Sequence, residues 1–134
     1  MAIRILVADD HALVRSTLSS LIRNSRDNWE VCGEAEDGQA AVQMAVDLKP
    51  DLAILDFRMP HRDGLSAGRE IRARVPGIRM LLFSLTEGSC LETAAQAAGF
   101  QGVVEKSGRT IVQAIQKALD SEGAAEPRRS AVSS

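Results

Sequence analysis

The sequence predicts an α/β fold, a doubly wound parallel sheet of five strands in the order 2-1-3-4-5 with a helix after each strand. Three observations carry that prediction. Five short apolar runs alternate with stretches of helical period. The runs are too short for helices and too continuous for a sheet with one wetted face, as interior strands of a parallel sheet are. Glu30, Glu34 and Glu36 cluster around the second run and Glu105 follows the fifth, whereas the other three are almost wholly apolar, which puts the charged pair at the sheet edges.

Taken in order, Ile3–Ala8 forms the first strand, and Val14, Leu18 and Leu21 repeat at helical spacing behind it as the buried stripe of the first helix. Val31–Ala35 is the second strand, with Trp29 packing ahead of it. Asp37 stands at the start of the second helix, whose stripe is Val42, Ala45 and Val46. Leu52–Leu55 and the set Leu65, Gly68 and Ile71 make the third unit, and Ile78–Phe83 opens the fourth. There Ser89 with Glu92 has the pattern of a capping box, Leu91, Ala94 and Ala98 form the stripe, and Gly99 supplies the stop. Gly102–Val104 is the fifth strand, followed by Ile111, Ile115 and Leu119. After about Asp120 the sequence SEGAAEPRRSAVSS loses its period and turns small and polar. Residues 1–120 therefore read as one domain, and 121–134 as a flexible tail or the start of an interdomain linker.

Composition narrows the function. A chain of 134 residues fits one domain. It can bury roughly two-thirds of its unfolded surface, so it needs neither disulfides nor a structural metal to fold. A net charge of -2, one tryptophan, three phenylalanines and no tyrosine provide neither the basic field nor the stacking platforms of a nucleic-acid binder, which disfavours DNA contact by this segment. Cys32 and Cys90 lack the spacing of a disulfide or zinc framework and read as reduced core fillers. No apolar run approaches the roughly twenty residues that span a bilayer, and Met1 leads into a strand-like segment in place of a signal sequence. The expected address is the cytoplasm, with no membrane partner.

The polar residues fall at the carboxyl ends of the strands. The first run ends in Asp9-Asp10, the third in Asp56, the fourth in Ser84, and the fifth reaches Lys106 just beyond Glu105. In an open doubly wound sheet those ends border one crevice, where the strand order reverses. Three carboxylates packed there repel one another unless a cation sits among them, and all-oxygen ligation with few protein groups points to Mg²⁺. A carboxylate can also be the nucleophile in phosphoryl transfer, forming an acyl phosphate while metal and lysine neutralise the transferred charge and a hydroxyl holds another oxygen. Taken singly, Asp10 and Asp37 serve as well as helix caps, Ser84 as a turn residue and Lys106 as a solvated charge. It is the conjunction at four strand ends that points to one chemistry. His11 and His61 lack a Cys or His partner at ligand spacing and read as surface or capping residues.

The segments ILVADDHALVR, GEAEDGQAAV, PDLAILDFRMPHRDGL, RMLLFSLTE and GVVEKS together resemble the receiver domain of two-component response regulators, over about residues 3 to 120. The fold so implied is the flavodoxin-like (βα)5 receiver fold. The DDH opening, GEAEDG and the PD…LD..MP..DG stretch are most similar to the NarL/FixJ (LuxR-type) branch, whose members usually continue through a linker into a helix-turn-helix domain; here the chain stops in what resembles that linker. The resemblance implies Asp56 as phosphoacceptor, Asp10 and Asp56 as direct Mg²⁺ ligands, Asp9 as the acid acting in that metal site, often through water, and the backbone carbonyl of Arg58 as a further ligand. It places Ser84 at the hydroxyl position that contacts the phosphoryl group and Lys106 at the position of the family's lysine. It implies a sensor histidine kinase as phosphodonor, a shift of the face made by the fourth helix, fifth strand and fifth helix, and output through homodimerisation or release of a C-terminal DNA-binding domain.

Three positions depart from the family pattern. Val103 stands where an aromatic switch residue is usual, Leu85 where a small side chain borders the route to the phosphoryl site, and Ser107 where a proline often follows the lysine. The Arg58 side chain either pairs with phosphoryl oxygens or folds away onto the surface, and both remain open at the level of sequence. Two other functions are weighed against the leading one. A pseudo-receiver that binds partners without phosphorylation is motivated by Val103 and Leu85. A Mg²⁺-dependent aspartyl phosphohydrolase is disfavoured, since Asp56 is followed by Phe57-Arg58 in place of an Asp-x-Asp motif and no cap segment is available.

Overall fold

The central strands bury both faces, and their side chains divide between two cores by simple alternation. In the computed structural model, which describes residues 2–85, 89–105 and 110–120, β1 (Ile3–Ala8) sends Ile5 and Val7 to one side and Leu6 and Ala8 to the other. β3 (Leu52–Asp56) and β4 (Arg79–Ser84) do the same with Leu52, Ile54, Leu81 and Phe83 against Ala53, Leu55, Met80 and Leu82. The outer strands are β2 (Trp29–Ala35) and β5 (Gly102–Glu105), and the parallel sheet runs β2-β1-β3-β4-β5, the predicted order with the predicted edges. Each fully buried Leu or Ile contributes about 1.5–3 kcal/mol relative to exposure, so two dry faces hold the sheet without a crosslink.

Helices cover the faces in the manner required by crossovers of one hand. α1 (Ala12–Ser25) and α5 (Ile111–Asp120) pack Leu18, Ile22, Ile111, Ile115 and Ala118 on one side. α2 (Gly38–Leu48), α3 (Gly64–Arg74) and α4 (Ser89–Ala97) pack Ala41, Val42, Ala45, Ala67, Ile71 and Ala95 on the other. Their ends follow capping chemistry. The Asp37 carboxylate accepts the Ala40 N–H at 2.8 Å, and that of Asp63 accepts the Ser66 N–H at 2.8 Å. α4 ends in a Schellman arrangement, with Phe100 N–H on the Ala95 carbonyl at 2.9 Å, Gly99 N–H on Gln96 at 3.0 Å, and Gly99 at φ +101°. The Ser89 side chain, half of the expected capping box, and residues 121–134 lie outside the described residues.

Three details correct the sequence reading. The stripe of α1 runs through Ile22, fully buried, and not Leu21, which is 37% exposed; the step of four from Leu18 keeps to the inward line that the step of three leaves. Trp29 is the first residue of β2, paired with Ile3 and buried under the Arg26 guanidinium, which lies 5.3 Å from the ring centroid. Both cysteines are free, but Cys90 is exposed and therefore not a core filler. Cys32 is half-buried at a bulge where Ile5 pairs with Val31 and Leu6 with Gly33, and burial pushes its thiol above the ordinary range. No helix among the described residues is long and apolar enough to cross a membrane.

Candidate functional site

Parallel pairing brings the strand ends into one line. Ala8 pairs with both Ala35 and Leu55, Asp56 with Phe83, and Ser84 with Glu105, so the residues that leave β1, β3 and β4 emerge side by side at the carboxyl edge. The order reverses between β1 and β3, since β1 is followed outward by β2 while β3 leads to β4 and β5. That switch point is where a crevice must open, because the two adjoining crossovers leave to opposite faces. A cleft of about 350 Å³ lies there, lined by Asp10, His11, Asp56, Phe57, Arg58, Ser84 and Leu85.

Two carboxylates, Asp10 and Asp56, line it, and a third, Asp9, is grouped with them beneath the surface. Asp9 is fully buried and Asp56 and Ser84 nearly so, while the Asp10 side chain is about a third exposed. One ligand atom from each of Asp9, Asp10, His11 and Asp56 lies within 4.8 Å of all the others. Opposite ligands of an octahedral Mg²⁺ stand about 4.2 Å apart, and Mg²⁺ accepts carboxylate oxygens completed by water. The carboxylates of this set fit a hard divalent cation.

Local structure presents these groups. The Asp9 Oδ1 accepts the His11 N–H at 2.9 Å, turning the chain sharply between β1 and α1. The His11 ring, itself exposed, brings Nδ1 to 3.2 Å from Asp10 Oδ1 and 3.4 Å from Asp9 Oδ1. On the other wall the Phe57 N–H binds the Phe83 carbonyl at 2.9 Å, and the Gly64 N–H returns to the Phe57 carbonyl at 2.8 Å, closing the loop between β3 and α3. A Cβ at Gly64 would collide with the backbone carbonyl of Asp56 itself.

The structure therefore brings together Asp9, Asp10, Asp56 and Ser84, and Arg58 lines the same cleft. The Arg58 guanidinium lies over the Phe57 ring, 5.4 Å from its centroid. Lys106 lies outside the described residues. Leu85 lines the cleft and is 74% exposed, and Val103 packs half-buried against the core. His61, at φ +70°, sits away from the cleft against Asp37.

His11 stands exposed at the N-cap position of α1, in keeping with its reading as a surface or capping residue. The sequence reading gives Arg15 no role and Glu34 only that of an edge charge. The Arg15 Nη1 donates to the Asp9 carbonyl at 2.7 Å, and its Nε lies 3.3 Å from Glu34 Oε1.

Comparison with known proteins agrees with this geometry. The family model described as "Response regulator receiver domain" matches residues 5–120. The transcriptional regulatory protein PdtaR of Mycobacterium tuberculosis is 36% identical over 117 residues, covering 87% of this chain and 56% of the relative. A protein-glutamate methylesterase/protein-glutamine glutaminase of Caldanaerobacter subterraneus is 39% identical over 119 residues, 88% of this chain and 32% of the relative. The chain thus spans between about a third and just over half of these relatives. Among solved structures, a LuxR-family two-component response regulator from Aurantimonas sp. SI85-9A1 superposes with a TM-score of 0.83 at 33% identity, covering 89% of this chain and 86% of that one.

Proposed function

The chain belongs to the response regulator receiver domain family, and from that premise we propose that it is the phosphoacceptor module of a two-component phosphorelay, modified on Asp56 by a sensor histidine kinase in the presence of Mg²⁺. The observation that carries the reading is the position of Asp56, nearly buried at the end of β3, beside two further carboxylates and open to the cleft that Ser84 borders.

In this reading an Asp56 carboxylate oxygen attacks the phosphorus of an N-phosphohistidine, the P–O bond forming as the P–N bond breaks and the imidazole leaves with its electron pair. Asp9, Asp10, Asp56 and the Arg58 carbonyl would hold Mg²⁺, whose charge, when bound, offsets that of the carboxylates and the incoming phosphoryl oxygens. The Ser84 hydroxyl donates to one phosphoryl oxygen, and Lys106 pairs with another. The modified aspartate adds close to two negative charges and new acceptor oxygens, which draw the Ser84 hydroxyl inward and shift the α4–β5–α5 face. With Val103 at the usual aromatic position, that shift proceeds without a swinging ring.

The similarity to LuxR-type regulators supports placement in the NarL/FixJ branch, with 121–134 as the start of a linker to a C-terminal helix-turn-helix domain and with homodimerisation or domain release as output. Transcription control and a cytoplasmic address follow from that placement, and the receiver turns over no metabolite beyond its own acyl phosphate.

The test is phosphate incorporation from phosphoramidate with and without Mg²⁺, followed by hydroxylamine. An acyl phosphate is released by hydroxylamine, whereas a serine ester survives it. Stable incorporation that resists hydroxylamine would contradict the assignment to Asp56.

A further inference from the structure

Nothing in that reading uses Arg15 or Glu34, although their contacts end on the residue that opens the acidic cluster. The Arg15 side chain is 16% exposed and reaches in two directions, to the Asp9 carbonyl through Nη1 at 2.7 Å and to Glu34 Oε1 on β2 through Nε at 3.3 Å. Arg23, two helical turns further along α1, lies 3.8 Å from the other Glu34 oxygen. From the opposite side the Asp9 N–H donates to the carbonyl of Ala35, the neighbour of Glu34, at 3.0 Å.

Both polar groups of the Asp9 backbone are therefore held by the end of β2, one directly and one through Arg15. This is where the chain leaves the sheet, and the next residues carry Asp10 and His11 into the cleft. An unrestrained turn would let the partly exposed Asp10 swing outward from Asp9 and Asp56, because like charges at this spacing repel. Glu34 balances the charge of Arg15, so the pin adds little repulsion toward a cation. A planar guanidinium donates from two nitrogens held in fixed directions; a lysine ammonium gathers its three donors on one nitrogen at the end of a flexible stem.

We infer that Arg15, braced by Glu34, is a positioning residue for the acidic cluster: by holding the Asp9 carbonyl it sets Asp9 and Asp10 for a divalent cation before the cation arrives. The inference rests on the cation-binding part of the proposed function. Groups that orient metal ligands from outside typically change metal affinity by about 10–100-fold when removed.

The test uses Mn²⁺ as the probe, with free ion read by electron paramagnetic resonance, on the full chain, alongside thermal unfolding without metal. Arg15→Met is expected to weaken Mn²⁺ binding about tenfold. Arg15→Lys, which keeps the charge and loses the fork, is expected to weaken it severalfold and serves if the Met variant does not fold. Unchanged affinity in folded variants of lowered stability would make Arg15 merely structural and overturn the inference. Tighter binding by Arg15→Met would also overturn it, since charge would then outweigh position. Absence of Mn²⁺ binding by the wild type would instead remove the cation-binding reading on which the inference stands.

Discussion

The Nδ1 of His61 lies 3.2 Å from Asp37 Oδ2, joining the loop after β3 to the loop after β2. Asp37 thus divides its carboxylate, since its Oδ1 accepts the Ala40 N–H and caps α2. His61 makes this contact from a left-handed backbone, at φ +70°. Next to it the Arg62 carbonyl presses so closely on Gly38 that no Cβ would fit there.

Replacing Asp37 should act on both contacts. Asp37→Ala is expected to cost about 1 kcal/mol through the lost cap, with Asp37→Asn retaining most of the stability because its side-chain oxygen still accepts the Ala40 N–H. Urea unfolding decides this through the midpoint at constant slope. Equal midpoints for Asp37→Ala and wild type would show that the cap contributes nothing.

Gly64 links packing to the phosphoacceptor. A Cβ there meets the Asp56 backbone and the Leu82 side chain, and backbone cannot rotate away. Gly64→Ala is expected to destabilise by about 1–3 kcal/mol, as overpacking does. It should also lower Mn²⁺ affinity, because relief comes only by moving the end of β3. A variant with unchanged stability and affinity would contradict the close approach.

Ser19 is fully buried on α1, and its hydroxyl has no hydrogen-bond partner among the described residues. A buried polar group left unpaired costs roughly 1–3 kcal/mol. Ser19→Ala is therefore expected to leave the unfolding midpoint unchanged or raise it, and a loss of stability on calorimetry would mean that the hydroxyl is satisfied in solution.

Glu70 sets part of the acid response. Hydrogen bonds from Arg62 first and Arg74 second hold its carboxyl below the ordinary carboxylate value. A group with a lowered folded-state value stabilises above its unfolded value, about 4.3 for Glu, and loses that contribution as pH falls through the folded one. The stability difference between wild type and Glu70→Gln should therefore be present at neutral pH and shrink on the acid side of about pH 4. A difference that grows on acidification would reverse the sign of this account.

Much of this architecture was legible in the sequence because the chemistry that encodes it is periodic. The five apolar runs fall within a few residues of β1 to β5, and Glu30, Glu34 and Glu105 mark the two edges because charge is tolerated where one side of a strand stays wet. Asp9, Asp10, Asp56 and Ser84 were legible as a group because strand ends in a parallel sheet converge by topology alone. What escaped was set by geometry within single turns. Leu21 and Ile22 both fit a helical repeat, and only the direction of α1 across the sheet separates them. Cys90 looked like a core filler because composition says nothing of which helix face it occupies. Arg15 and Glu34 meet across two elements, a contact that no one-dimensional pattern encodes.

The central claim is that Asp56 accepts a phosphoryl group with the help of a divalent cation. Intact-mass spectrometry after incubation with a small-molecule phosphodonor and Mg²⁺ tests it most directly, with Asp56→Asn and metal-free samples alongside. The account predicts the gain of a single phosphoryl mass in the wild type and its loss in both controls. A folded wild type that gains no mass from any donor, or an Asp56→Asn variant that gains it equally well, would contradict the account and favour a module that binds its partners without phosphorylation.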